Sequence, residues 1–269
     1  MRTPAKRKPI HHSDSLGFKY RSVLKLMTMV NGKTPKGEAA GYLTGILYLH
    51  PHTSGGGKTL CPHSTPGCRE MCLAGAGLSA LPRQQGAKSW RTDLWNQYPE
   101  AFMRLLEADI EHLADIAANE GMKPVVRLNG SSDVRWEFEL PMLRRGDAHH
   151  ITFMDYTAYP LHHRRPGPHY HLTYSVKGLE DMERAIGYLR AGQSVTVVVP
   201  EDIKHELVGQ EVDVGPCAAP FVDGDVHDLR FLDPPGSIVL LKPKGWIRNG
   251  LMRPHIVREL AIARKKLAA

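Results

Sequence analysis

The apolar positions follow two periods. Residues 42–49 form a continuous run rich in β-branched and aromatic side chains and read as a strand. A polar stretch with Gly, His and Cys follows to about residue 77. Residues 87–97 read as helical. Pro99 suits the first turn of a second helix, with Phe102, Leu105, Leu106, Ile110, Leu113 and Ile116 on one face and Gly121 as its stop. Residues 124–128, 151–154, 171–174, 195–199 and 238–241 read as further strands. Between them, Leu179, Met182, Ile186 and Leu189 mark a helix ended by Gly192, and residues 254–267 predict a closing amphipathic helix.

Strands alternating with helices predict an α/β fold with about six mainly parallel strands, as an open barrel or a doubly wound sheet. In either form ligands bind at the C-terminal ends of the strands. Polar residues gather there: Asn129, Ser131, Ser132 and Asp133, then Asp155 and Thr157, then Thr173 and Ser175, then Lys242 and Lys244. Asp133 and Asp155 are the catalytic candidates in this set. Asn129, Ser131, Ser132, Thr173 and Ser175 are the candidates for cofactor contact. Each also suits a turn or cap.

The sharpest chemical feature is the loop after the first strand, where Cys61, Cys68 and Cys72 fall within twelve residues among Pro62, Pro66 and Gly67. Three close thiols in a reducing compartment point to metal rather than disulfide. Soft thiolates select an iron–sulfur cluster, zinc or copper(I). Three cysteines leave one iron of a 4Fe-4S cluster open. For a zinc ion, His63 or Cys217 would complete four ligands.

This C-x6-C-x3-C loop resembles the C-x3-C-x2-C loop of the radical S-adenosylmethionine superfamily, whose cysteines also follow the first strand of a partial (β/α) barrel. The resemblance implies such a barrel, a cluster on Cys61, Cys68 and Cys72, and S-adenosylmethionine as a possible cofactor. The chain also resembles a family of uncharacterised bacteriophage proteins over about residues 20–250. The shared stretches are Cys61-Pro62, Gly67-Cys68, Cys72-Leu73, residues 127–133, residues 155–157 and residues 223–233. That likeness implies a phage origin, hence the cytoplasm of an infected bacterium, and a common site.

Other features carry competing readings. Asp223, Asp225, His227, Asp228, Arg230 and Asp233 form an acidic segment. It suits a divalent cation in a nuclease or hydrolase, with Asp225 as a third catalytic candidate, or a tight turn whose carboxylates cap amides and pair with Arg230. Asp109 falls on the apolar helix face, where a carboxylate needs a partner such as an arginine or backbone amides. Gly55-Gly56-Gly57-Lys58-Thr59 imitates a phosphate loop, but His52 stands where its first glycine belongs. Most of the histidines suit surface loops, and no Ser-His-Asp pattern stands out.

Composition and charge narrow the classes. The chain has 269 residues, 42% hydrophobic and 23% charged, which is globular. No apolar run reaches the length of a membrane span, so no membrane partner is expected. The basic, Pro-rich start reads against a secretory leader. The net charge of +7 is uneven: residues 1–36 hold nine Lys or Arg against Asp14 alone, while residues 37–257 are close to −4. The expected organisation is a basic arm over 1–36, able to meet nucleic acid, and a single α/β domain over 37–269 carrying the cysteine loop at 58–77.

Overall fold

The computed structural model describes residues 24–29, 34–53, 56–70, 72–75, 77–178, 181–214 and 218–243. The basic start of the chain, Cys217, Lys244 and the helix expected over 254–267 lie outside the described residues.

Among the described residues nine strands form one sheet: β1 (Met27–Thr28), β2 (Tyr42–Leu47), β3 (Lys123–Arg127), β4 (Thr152–Thr157), β5 (Tyr170–Ser175), β6 (Val195–Val198), β7 (Glu211–Asp213), β8 (Ala218–Asp223) and β9 (Ile238–Leu241). Their order is β1-β2-β3-β4-β5-β6-β9-β8-β7. Every pairing from β2 to β8 is parallel, and only the edge strands β1 and β7 pair antiparallel. The fold is therefore α/β with a mainly parallel sheet. The sheet has two ends and does not close. Strands β2 to β6 lie side by side in chain order, so the reversal that defines a doubly wound sheet is absent from this part. Pattern reading missed β1, β7 and β8. These are two- and three-residue edge pieces and a strand of mixed polarity, which leave little periodic signal.

The helices are α1 (Thr34–Glu38), α2 (Pro66–Glu70), α3 (Pro82–Gln97), α4 (Pro99–Asn119), α5 (Trp136–Glu139), α6 (Pro141–Arg145), α7 (Met182–Arg190) and α8 (Glu201–Leu207). None is long and apolar enough to cross a membrane among the described residues. The long helix α4 begins at Pro99 and stops where Gly121 turns into the left-handed region at φ 66°. It buries Phe102, Leu106, Ile110, Leu113 and Ile116 on the sheet. Gly45 in β2 permits that approach, because a Cβ there would stand 2.8 Å from Leu113 Cδ2.

Asp109 lies on the same buried face. Its carboxylate accepts hydrogen bonds from the backbone amides of Lys25 (2.9 Å), Leu26 (2.6 Å) and Met27 (3.0 Å). The acid thus fastens edge strand β1 to helix α4. A charged acceptor satisfying amides of a short edge strand resolves the apparent cost of burying it.

Candidate functional site

The C-terminal ends of the parallel strands share one edge, and the cysteine loop leaves β2 at that edge. His52 opens the loop with φ 39°, the one non-glycine residue with positive φ among the described residues. Strain of this kind persists where surrounding structure enforces it. Here the His52 amide is directed at the Cys61 sulfur. The loop is closed by two bonds to the β3 exit: Asp133 N donates to Leu60 O (2.8 Å), and Cys61 Sγ stands 3.9 Å from Ser131 O.

Cys61, Cys68 and Cys72 are free and half-buried. Burial pushes the Cys61 thiol up to about 12, with Asp133, Cys72 and Cys68 adding to the rise. Cys68 is raised by burial too, with Lys177 opposing and Cys72 and Asp133 adding. The three sulfurs therefore share one electrostatic neighbourhood. Nonetheless, no three His, Cys, Asp or Glu side chains among the described residues are spaced to hold a single metal ion. The buried Lys88 of α3 shapes the far side of the loop. Its ammonium donates to Ala74 O (2.8 Å), Ser79 O (3.0 Å) and Ser79 Oγ (2.7 Å).

The candidates after β3 and β4 do meet, mostly in binding one another. Asn129 Oδ1 accepts from Ser132 Oγ (3.0 Å), Val134 N (2.8 Å) and Trp136 Nε1 (3.1 Å). Its Nδ2 donates to Val134 O (2.9 Å) and Asp155 Oδ2 (3.3 Å). The Asn129 side chain is then fully used. Asp155 also accepts from Asn129 N (2.7 Å) and from the Tyr170 hydroxyl (2.7 Å). Burial pushes Asp155 up to about 7 despite these donors. Ser131 Oγ donates to Leu49 O. Thr173 is buried inside β5, opposite Tyr156, and Ser175 is half-buried opposite Thr196.

Asp133 differs from these. Its Oδ2 accepts from Ala158 N (2.7 Å), but the buried Oδ1 has no hydrogen bond and only a 3.5 Å ion pair with Arg164. Burial raises this carboxyl above its ordinary range. Arg164 is committed elsewhere: it grips Glu137 at 2.7 and 2.9 Å and donates to Thr157 Oγ1 at 2.7 Å. Asp133 also raises Cys61, Cys68 and Tyr159, so it faces the cysteine loop.

Cations gather on the same edge. His63 is lowered first by burial and then by Arg184, His163, Lys177 and Arg135. Sequence reading missed Arg135, Tyr159, Arg164 and Lys177, because each stands in a loop or a helix turn without periodic context. The one available signal was their position just beyond strand ends.

The acidic segment reaches β3 and β4 through Asp228, which meets Arg127 and the Tyr156 hydroxyl, and its carboxylates are paired. Lys204 pairs with both Asp223 and Asp225, the latter at 2.8 Å. Lys242 N also donates to Asp225 Oδ2 (3.1 Å). Arg127 holds Asp228 at 2.8 Å, and Arg230 holds Asp233 at 3.1 Å. Asp223 Oδ1 caps the Asp225 amide. This is the paired, amide-capping turn. Carboxylates already in contact with ammonium and guanidinium groups offer little charge to a divalent cation.

An open, mainly parallel α/β sheet with a three-cysteine loop on its C-terminal edge defines the class of this protein. Within that class, the chain belongs to the Gene product 88 family, which it matches over residues 25–265. No curated protein matches it, and no solved structure matches it.

Proposed function

We propose that the chain is an iron–sulfur protein of phage type in which Cys61, Cys68 and Cys72 hold a 4Fe-4S cluster. In this reading the sheet is a partial barrel and the chemistry is radical-SAM-like, with S-adenosylmethionine as cofactor. The observation that supports it is three half-buried thiols on one loop, directly after the first parallel strand, that act electrostatically on one another beside the Asp133 carboxylate. The consecutive order of β2 to β6 suits a barrel-like sheet. The family's designation as a gene product suits a phage origin.

The three-cysteine donor set supports a cluster reading through its ligand type. When bound, a cluster would supply single electrons to a cofactor or substrate. The chain's own groups prepare the ligands. The His52 amide and Lys177 favour the Cys61 and Cys68 thiolates, against a burial that otherwise keeps them protonated.

Purification without oxygen tests this. The expected result is visible charge-transfer absorption with iron and sulfide present, lost in Cys61→Ser, Cys68→Ser and Cys72→Ser. A colourless protein with one zinc would overturn it. Cluster binding without cleavage of S-adenosylmethionine would reduce it to a redox or structural role.

A further inference from the structure

Beside the cysteine loop, six planar side chains from three separate segments stand in series. Phe138 of α5 lies under the Arg135 guanidinium at 5.1 Å. The same guanidinium lies over the Tyr159 ring at 5.2 Å. Tyr159 meets His63 of the cysteine loop edge to face at 4.4 Å. His63 meets His163 at 6.0 Å, and His163 meets His162 at 4.3 Å. The middle of the row, Tyr159 and His63, is half-buried, while its ends are open. Phe138 is 42% exposed, and Arg135, His162 and His163 are exposed as well.

Arg135 is the informative member. Among the described residues no carboxylate stands within ion-pair distance of it. Its polar contacts are with neighbours of the row itself: a long one, 3.5 Å, to His163 O, and one with the Tyr159 hydroxyl. The Phe138 and Tyr159 rings flank the guanidinium at 5.1 and 5.2 Å, and the group remains exposed. Exposed rings in series with an unneutralised guanidinium are the chemistry that recognises a stacked base next to a phosphate. Base–aromatic stacking tolerates any sequence, and the guanidinium suits the phosphate bidentately.

We infer that this row is a nucleotide-binding platform, taking a base on its rings and the adjoining phosphate on Arg135, with the nucleotide laid against the cysteine loop. The inference goes beyond the cluster reading and stands if that reading fails, because none of the six side chains is a proposed cluster ligand.

The test uses the full chain purified without oxygen and a fluorescent oligodeoxythymidylate, read by anisotropy. Arg135→Ala and Phe138→Ala should each weaken binding roughly five- to a hundredfold. Arg135→Lys keeps the charge and loses the flat fork, so it should also weaken binding. Arg104→Ala, an exposed change on α4, should leave it unchanged. Competition by thymidine monophosphate would assign the platform to a free nucleotide, and its failure would assign it to a single strand. The inference is overturned if no binding occurs, if Arg135→Ala binds like wild type, or if inorganic polyphosphate competes as well as the oligonucleotide. Iron measured in the same samples separates the two proposals: a colourless protein that still binds removes the cluster and leaves the platform.

Discussion

Asn129 was a candidate for cofactor contact, and its geometry predicts a structural consequence instead. Asn129→Ala removes an acceptor used by three donors and a donor used by two acceptors. The Trp136 indole is fully buried and would lose its partner, as would the Val134 amide. Each orphaned buried donor costs about 1–3 kcal/mol, so the loss should total about 3–5 kcal/mol with the small cavity included. Urea unfolding followed by tryptophan fluorescence measures it as a lower midpoint at unchanged slope. A double-mutant cycle with Ser132→Ala adds a sharper criterion. Ser132→Ala alone should cost about 1 kcal/mol, but almost nothing once Asn129 is gone. A loss below about 1 kcal/mol for Asn129→Ala, or strict additivity, would refute the network. A cofactor contact would show the opposite pattern, with stability kept and ligand affinity lost.

Three further outcomes follow from the geometry. Gly130→Ala would bring a Cβ to 2.6 Å from Leu47 O and 2.7 Å from Tyr48 Cδ1, so thermal melting should show a loss of about 2 kcal/mol or more. Asp109→Ala should destabilise the fold by about 3 kcal/mol and speed hydrogen exchange at Lys25, Leu26 and Met27, whereas Asn at that position should fall between. Asp155 sits near 7 when folded against 3.8 ordinarily, so between these values the folded chain holds a proton that the unfolded chain has released. Its contribution to stability is therefore full below 3.8 and lost as pH rises to about 7, and the stability of wild type relative to Asp155→Asn should fall across that window and level off above it. A flat difference would show that its donors outweigh burial.

The longer helices α3, α4 and α7 and the central strands were legible because their causes are local, whereas the short helices α1, α2, α5, α6 and α8 leave little periodic signal. Pro99, Gly121 and the stripe from Phe102 to Ile116 act within a few residues of themselves, and so mark α4 without reference to the rest of the chain. Parallel pairing followed from alternation, and the crowding of polar residues at strand ends correctly marked the edge that carries the cysteine loop. The edge strands were not legible, because two or three residues carry no period. The buried Asp109 was legible as a carboxylate needing a partner, but its partners lie more than 80 residues away.

What the sequence alone determined was therefore the inventory: an α/β chain, three thiols on one loop, and the residues gathered at one edge of the sheet. What only the tertiary structure decided was which polar atoms remain available. Asn129, Ser132 and Asp155 satisfy one another, and the acidic segment is neutralised by Lys204 and Arg127. Asp133 keeps an unbonded oxygen, and Arg135 lies between two rings with no ion pair among the described residues. Residues 37–257 are close to −4 as a composition, yet Arg135, Lys177 and Arg184 all act on His63 beside the thiols. The physical reason is that hydrogen-bond satisfaction and Coulomb energy depend on distance in space, and folding sets those distances between residues far apart in the chain.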